Sequence, residues 1–180
     1  MNIAVYLGSS FGNDPEIKKE TEKLGRWIGS NGHTLVYGGS DSGLMGILAE
    51  GVLAEEGKIY GFMPEFLVKR NRAMESLENL YITKDMSERK KRMLEMADAY
   101  IAMPGGPGTL EEISEAISSV RLGLYKKPCI FFNINGYYDA LFIYFDKMMQ
   151  TGFAAEYDFK HVYNAKSLGE IERILKTYEI

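Results

Sequence analysis

Residues 104 to 112 read PGGPGTLEE, so a glycine- and proline-rich turn follows the apolar run AYIAM and is itself followed by two adjacent carboxylates. Glycines there let backbone amides approach an anion at the start of a helix. A carboxylate just behind such a loop can serve as a base or stabilise positive charge on a reacting sugar carbon. Glu112 is the candidate for that work. A purely structural account competes for the same residues. Thr109 can cap the following helix, and Thr109 and Glu112 stand at the T-x-x-E spacing of a capping box. Acidic residues in a first turn are also favoured by the helix dipole.

A second stretch, DMSERKKRM at 85 to 93, shifts the balance toward chemistry. Asp85 or Ser87 can cap a helix there, which sets Arg89 and Lys90 near its first turn, the unfavourable end for cations by roughly 0.3 to 1 kcal/mol each. An anion is needed to compensate. Arg89 shares a helical stripe with Met93 and Met96, so it projects inward rather than into solvent. It reads either as a clamp for phosphate or as a buried partner of Glu88 or Glu112.

Two more glycine- or serine-rich junctions follow strand-like runs. Gly8, Ser9 and Ser10 come after NIAVYL and offer close backbone approach and two hydroxyls. The segment YGGSDSGLMG at 37 to 46 contains Gly38, Gly39, Ser40 and Gly43 before a helix whose first amides can meet an anion. It matches neither the G-x-G-x-x-G dinucleotide spacing nor a P-loop.

The elements that must position these residues alternate along the chain. Strand-like NIAVYL, TLVY, KIYGFM, NLYIT, AYIAM, PCIFFN and HVYN are separated by helical segments at about 15–30, 43–56, 87–97, 109–122, 137–151 and 168–178. That alternation predicts an α/β fold of Rossmann-like, doubly wound type: a mostly parallel sheet with helices on both faces. Ligands in such folds bind at the carboxyl ends of the strands, where all three junctions fall. Residues 64 to 78 are the least regular, and their basic cluster, Lys69, Arg70 and Arg72, reads as a solvated face before it reads as a ligand contact.

Bulk properties narrow the field. The 180 residues are 46% hydrophobic and 26% charged, suited to one nucleotide-binding domain over 1–180 without low-complexity or repeated segments. A net charge of -4 argues against general nucleic-acid binding. The single cysteine, Cys129, lies in an apolar run, and His33 and His161 match no metal-ligand spacing. The N-terminus lacks a basic n-region and no apolar stretch reaches spanning length, so a cytoplasmic protein without membrane contact is expected.

Taken together, these motifs closely resemble the Lonely Guy (LOG) family of phosphoribohydrolases, which release a free base from a nucleoside 5′-monophosphate. The signature PGGxGTxxE is present as Pro104, Gly105, Gly106, Gly108, Thr109 and Glu112, preceded by the pair Arg89 and Lys90. GLMG at 43 to 46 and GYY at 136 to 138 are also similar, and the resemblance spans roughly residues 2 to 178. It implies a homodimer acting on a nucleoside monophosphate without a cofactor, with Arg89 and Glu112 catalytic. It also implies that Gly105 to Thr109 hold the 5′-phosphate, with Lys90 and Glu111 nearby and Met86 joining the substrate-binding set. Ser40, where many relatives have glycine, and Asn71, where an acidic residue is frequent, depart from the family pattern.

Members of the family are often labelled lysine decarboxylases, yet no lysine here stands out for a Schiff base. The reading that follows is hydrolysis of AMP or an N6-modified AMP to base and ribose 5-phosphate. The alternatives are a non-catalytic nucleotide or molybdenum-cofactor carrier and a nucleotide-sensing module. The pairing of Arg89 with Glu112 distinguishes the enzyme, because a pure binder has no need of both.

Overall fold

In the computed structural model, residues 1–178 are described. Seven strands, β1 (Asn2–Tyr6), β2 (Thr34–Tyr37), β3 (Lys58–Pro64), β4 (Leu80–Thr83), β5 (Ala99–Ala102), β6 (Cys129–Phe132) and β7 (Val162–Ala165), form one sheet in the order β4-β3-β2-β1-β5-β6-β7. Every pairing is parallel, which sharpens the expected mostly parallel sheet. The chain builds outward from β1 through β4, then returns to the other side of β1 with β5. The central trio β2-β1-β5 therefore carries the three glycine- or serine-rich junctions at its carboxyl ends.

The connecting helices are α1 (Pro15–Ser30), α2 (Leu44–Leu53), the short α3 (Glu65–Val68), α4 (Met86–Met96), α5 (Pro107–Arg121), α6 (Asp139–Gln150) and α7 (Leu168–Lys176). Alternating strand residues supply two cores. Ile3 and Val5 face Leu24 and Ile28 of α1, Leu48 and Val52 of α2, and Ile171 and Leu175 of α7. Ala4 and Tyr6 face Met93 and Leu94 of α4 and Ile113, Ala116 and Ile117 of α5. Central strands buried on both faces need near-continuous apolar runs, and all four residues of Ala99–Ala102 are buried.

Helix starts follow the expected chemistry. Asp14 caps α1 with Pro15 at its first position, Asp85 accepts a hydrogen bond from Glu88 N at 2.9 Å, and Ser167 caps α7. No such side-chain bond is made at α5. Its cap is Gly106 and its first residue Pro107. Helix α6 packs Phe142 and Phe145 against the core, yet has no fully buried residue, and Ile143 and Tyr144 are exposed.

Residues 64 to 78 are tied down. The Met74 amide donates to Gly39 O at 2.8 Å, attaching this segment to the second junction. Among the described residues, no helix is long and apolar enough to cross a membrane.

Candidate active site

Because α5 starts at Pro107, Thr109 is the third residue of the helix and not its cap, and the expected capping box with Glu112 is not formed. Proline's fixed φ and missing N–H suit the first helical position, which moves the start two residues upstream of the threonine. Thr109 is buried over Gly105, where an added Cβ would collide with its Oγ1. Glu112 is thereby released from capping and faces α4.

There it meets Arg89. The guanidinium Nη1 donates to Glu112 Oε1 at 2.8 Å, Nε donates to the Phe62 carbonyl at 3.0 Å, and the Met86 sulfur lies 3.9 Å from Nη1. Both side chains of the pair are about nine-tenths buried. Of the two expected partners for Arg89, Glu112 is the one engaged, since Glu88 binds the Lys84 amide and Arg92. Gly38 makes the arrangement possible, because a Cβ there would run into Arg89 Nη2. Burial pushes the Glu112 carboxyl above the ordinary glutamate range, although the charge and hydrogen bond of Arg89 pull it back down. The same carboxylate, after burial itself, helps push up the Tyr6 phenol.

Two cavities lie near this centre; Arg89 lines the second, and Glu112, buried behind it, lines neither. One, of about 440 Å³, lies at the start of α5 and is lined by Gly8, Ser10, Phe11, Gly105, Gly106 and Tyr137 among others. Its polar lining combines the uncapped helix N-terminus, suited to an anion, with Asn13, Asn135 and the carboxylate of Asp14, which accepts from Asn135 at 2.8 Å. The other, of about 290 Å³, is lined by Arg89 with Ser9, Ser40, Ser42, Arg70 and Arg72, together with Met45 and Met63. The wall between them is the turn Ser9–Ser10 packed on Gly43, whose φ of +58° and close approach to the Ser9 carbonyl leave no room for a side chain. Arg89 lines the second cavity, and Gly105 and Gly106 line the first.

The other sequence candidates divide. Gly8, Ser9, Ser10, Ser40, Gly105 and Gly106 line one cavity or the other. Gly39 supports the second junction at φ +73°, and Ser40 Oγ accepts from the Ser42 amide at 3.1 Å, a turn that glycine in its place does not make. Gly108 sits in the open first turn of α5, where an added Cβ would meet nothing within 4 Å. Lys90 bonds Glu111 at 2.6 Å and Glu115 at 2.9 Å, bridging α4 to α5; it lines neither cavity, and Glu111 is mostly exposed.

Two sets of residues were assigned no role by sequence. Arg70 and Arg72 are exposed, as the solvated-face reading expects, and also line the mouth of the Arg89 cavity. Tyr137 and Tyr138 tether the glycine loop from β6: Tyr137 donates to Gly105 O and Tyr138 to Met103 O, each at 2.6 Å. The GYY motif was visible; its distant partner was not.

A family model described as "possible lysine decarboxylase" matches residues 45–174. The two carboxylates on Lys90 raise its pKa, opposite to the need of a Schiff-base lysine. Lys127 lies just before β6, at the sheet end away from the junctions. Curated relatives are described differently. A cytokinin riboside 5′-monophosphate phosphoribohydrolase of Arabidopsis thaliana is 36% identical over 98% of this chain and 82% of its own length. One from Rhodococcoides fascians is 39% identical over 84% of this chain and 77% of its own. Among solved structures, the molybdenum cofactor carrier protein of Chlamydomonas reinhardtii superposes with a TM-score of 0.74 at 18% identity, covering 98% of this chain and 96% of that one. The molybdenum cofactor binding protein of Rippkaea orientalis gives 0.71 at 24% identity, covering 98% and 95%. At those identities the structures speak for a shared fold alone, whereas the curated matches and the family model speak for descent: this chain belongs to the Lonely Guy (LOG) family.

Proposed function

We propose that the protein hydrolyses the N-glycosidic bond of a purine nucleoside 5′-monophosphate, AMP or an N6-modified AMP, to free base and ribose 5-phosphate. The observation that carries this is the buried Arg89–Glu112 pair between an uncapped helix N-terminus and a cation-lined cavity. The names of the curated relatives point to the same reaction.

In this reading the 5′-phosphate rests on the amides at the start of α5, with Gly105, Gly106, Gly108 and Thr109 shaping the loop and Tyr137 fixing it. The ribose lies over Ser9–Ser10. As the bond from C1′ to the base nitrogen breaks, positive charge builds on the sugar, and the Glu112 carboxylate stabilises it and takes a proton from the attacking water. The departing base acquires a proton, so water is divided between the two products. Arg89 acts on the reacting region through Glu112, holding one carboxylate oxygen at 2.8 Å and opposing the upward pull of burial on its pKa. Met86 packs on the guanidinium, and Lys90 with Glu111 fixes α4 to α5 beside the pair. The chain works as one nucleotide-binding unit in the cytoplasm, paired with a second copy through the uncovered face of α6.

The test is release of adenine and ribose 5-phosphate from AMP and from N6-isopentenyl-AMP by wild type, Glu112→Gln and Arg89→Ala. Release abolished by both substitutions in folded protein is the expected result, and the ratio between substrates gives base preference. Nucleotide binding without release by wild type overturns the hydrolase and favours a carrier.

A further inference from the structure

Helix α3 is a single turn, EFLV, and the way it ends decides where two cations go. Asn71 adopts φ +53°, its amide donates to Val68 O at 2.9 Å, and the Arg72 amide donates to Leu67 O at 3.2 Å. That pair of bonds is a Schellman turn with Asn71 in the left-handed position, which asparagine occupies more readily than most side chains. The turn sets Arg70 and Arg72 on either side of Asn71, and both line the cavity that holds Arg89.

Charge in that cavity is out of balance. Arg89 is matched by Glu112, whereas among the described residues no carboxylate forms an ion pair with Arg70 or Arg72; both are exposed, and Arg70 lies over the Phe66 ring, 5.7 Å from its centre. Neighbouring Lys69, by contrast, pairs with Glu65 at 2.8 Å and stays outside the cavity. The hydroxyls of Ser9, Ser40 and Ser42 line the same space and add hydrogen-bonding capacity. The cavity at the start of α5 has no cationic side chain in its lining. Guanidinium groups present planar forks that match carboxylate and phosphate oxygens in pairs, so two uncompensated forks beside a third specify an anion. A nucleoside monophosphate with its phosphate on α5 has none left to give them.

We propose that the cavity formed by Arg70, Arg72 and Arg89 binds a second anionic group on the nucleotide, separate from the 5′-phosphate, with Arg70 and Arg72 as specificity determinants. The proposal rests on the nucleotide reading above. The second group has two chemical sources: a further phosphoryl group on the 5′ side, or an acidic substituent on the base. Both offer the oxygens the forks require.

The experiment is calorimetric titration of wild type, Arg72→Gln, Arg70→Gln and, as a control for general surface charge, Lys69→Gln. The probes are AMP, ADP, N6-(1,2-dicarboxyethyl)-AMP and pyrophosphate. Wild type is expected to bind ADP or the dicarboxyethyl nucleotide about tenfold or more tighter than AMP, since charged hydrogen bonds of this kind exceed that threshold. Arg72→Gln and Arg70→Gln bring that ratio toward one, and Lys69→Gln leaves it in place. Which probe gains identifies the source. The idea is overturned if neither probe gains over AMP in wild type, or if the gain survives both arginine substitutions in protein that is folded by circular dichroism.

Base release from AMP, followed in parallel, reads the proposed hydrolysis by itself. Release with a ratio of one sinks only the second-anion site, and a ratio that collapses in the variants without any release sinks only the hydrolase. If AMP does not bind, pyrophosphate decides: weaker binding to the arginine variants upholds the cavity, and equal binding rejects it.

Discussion

Arg89 and Glu112 lie 23 residues apart on consecutive crossover helices, yet a 2.8 Å hydrogen bond joins them in a setting almost closed to water. An isolated charge at either position is costly, while the pair is tolerated. Removing Arg89 alone therefore strands a buried carboxylate. We expect Arg89→Met to lower unfolding free energy by about 3 to 5 kcal/mol in chemical denaturation. The double variant Arg89→Met, Glu112→Gln should recover part of that loss, because no buried ion remains; equal stability of the single and double variants would argue that the two groups are not coupled.

The pH profile of hydrolysis follows from the same pair. In the proposed hydrolysis Glu112 works as a carboxylate, and burial raises its pKa, so activity should fall on the acid side at a pH above the ordinary glutamate value of about 4.3. Arg89 holds that pKa down, so Arg89→Gln should shift the acid limb further upward in whatever activity survives. A limb that stays in place would separate it from Glu112.

Two glycines on the loops make opposite predictions. Gly43→Ala drives a Cβ into the Ser9–Ser10 backbone at a positive φ, and a fall in melting temperature is expected. Gly108→Ala enters open space in the first turn of α5, where alanine favours the helix by about 0.5 to 1 kcal/mol. Its fold should be as stable or more so, while AMP binding weakens because the methyl group occupies the approach to the helix amides. Unimpaired binding would remove Gly108 from the site.

Tyr137→Phe deletes only the hydroxyl that donates to Gly105 O. Losing one such bond costs about 0.5 to 1.5 kcal/mol of loop fixation, so KM for AMP should rise several-fold. An unchanged KM would make the tether incidental.

Ile143 is 69% exposed on α6, beside Tyr144 at 57%, an apolar surface left open among the described residues. Ile143→Glu should convert a dimer to a monomer in light scattering. Wild type that is already monomeric would place the second copy elsewhere or nowhere.

The sequence revealed the sheet because buried parallel strands such as AYIAM and CIFF demand uninterrupted apolar runs, and amphipathic segments lie between them. Arg89 was also legible: its helical stripe pointed it inward, and the structure supplied the anion it required. Thr109 was misplaced because T-x-x-E looks the same whether a helix starts at residue 107 or 109; Pro107 was the deciding signal. Arg70 and Arg72 could not be placed beside Arg89 from sequence, because their direction depends on a left-handed Asn71, a backbone state that composition does not announce. Tyr137 found its partner across 32 residues, a contact only the closed sheet defines.

The position of β1 at the middle of the sheet has a consequence for folding. Ile3 pairs with Leu35 on one side and with Ala99 on the other, so the three glycine- or serine-rich junctions stay apart until both closures are complete. A site built from all three junctions exists only when both closures are in place. Nucleotide binding is then a report on the entire native molecule, and ligand at about a hundred times its Kd should protect every slowly exchanging amide of the sheet by about 2.7 kcal/mol together.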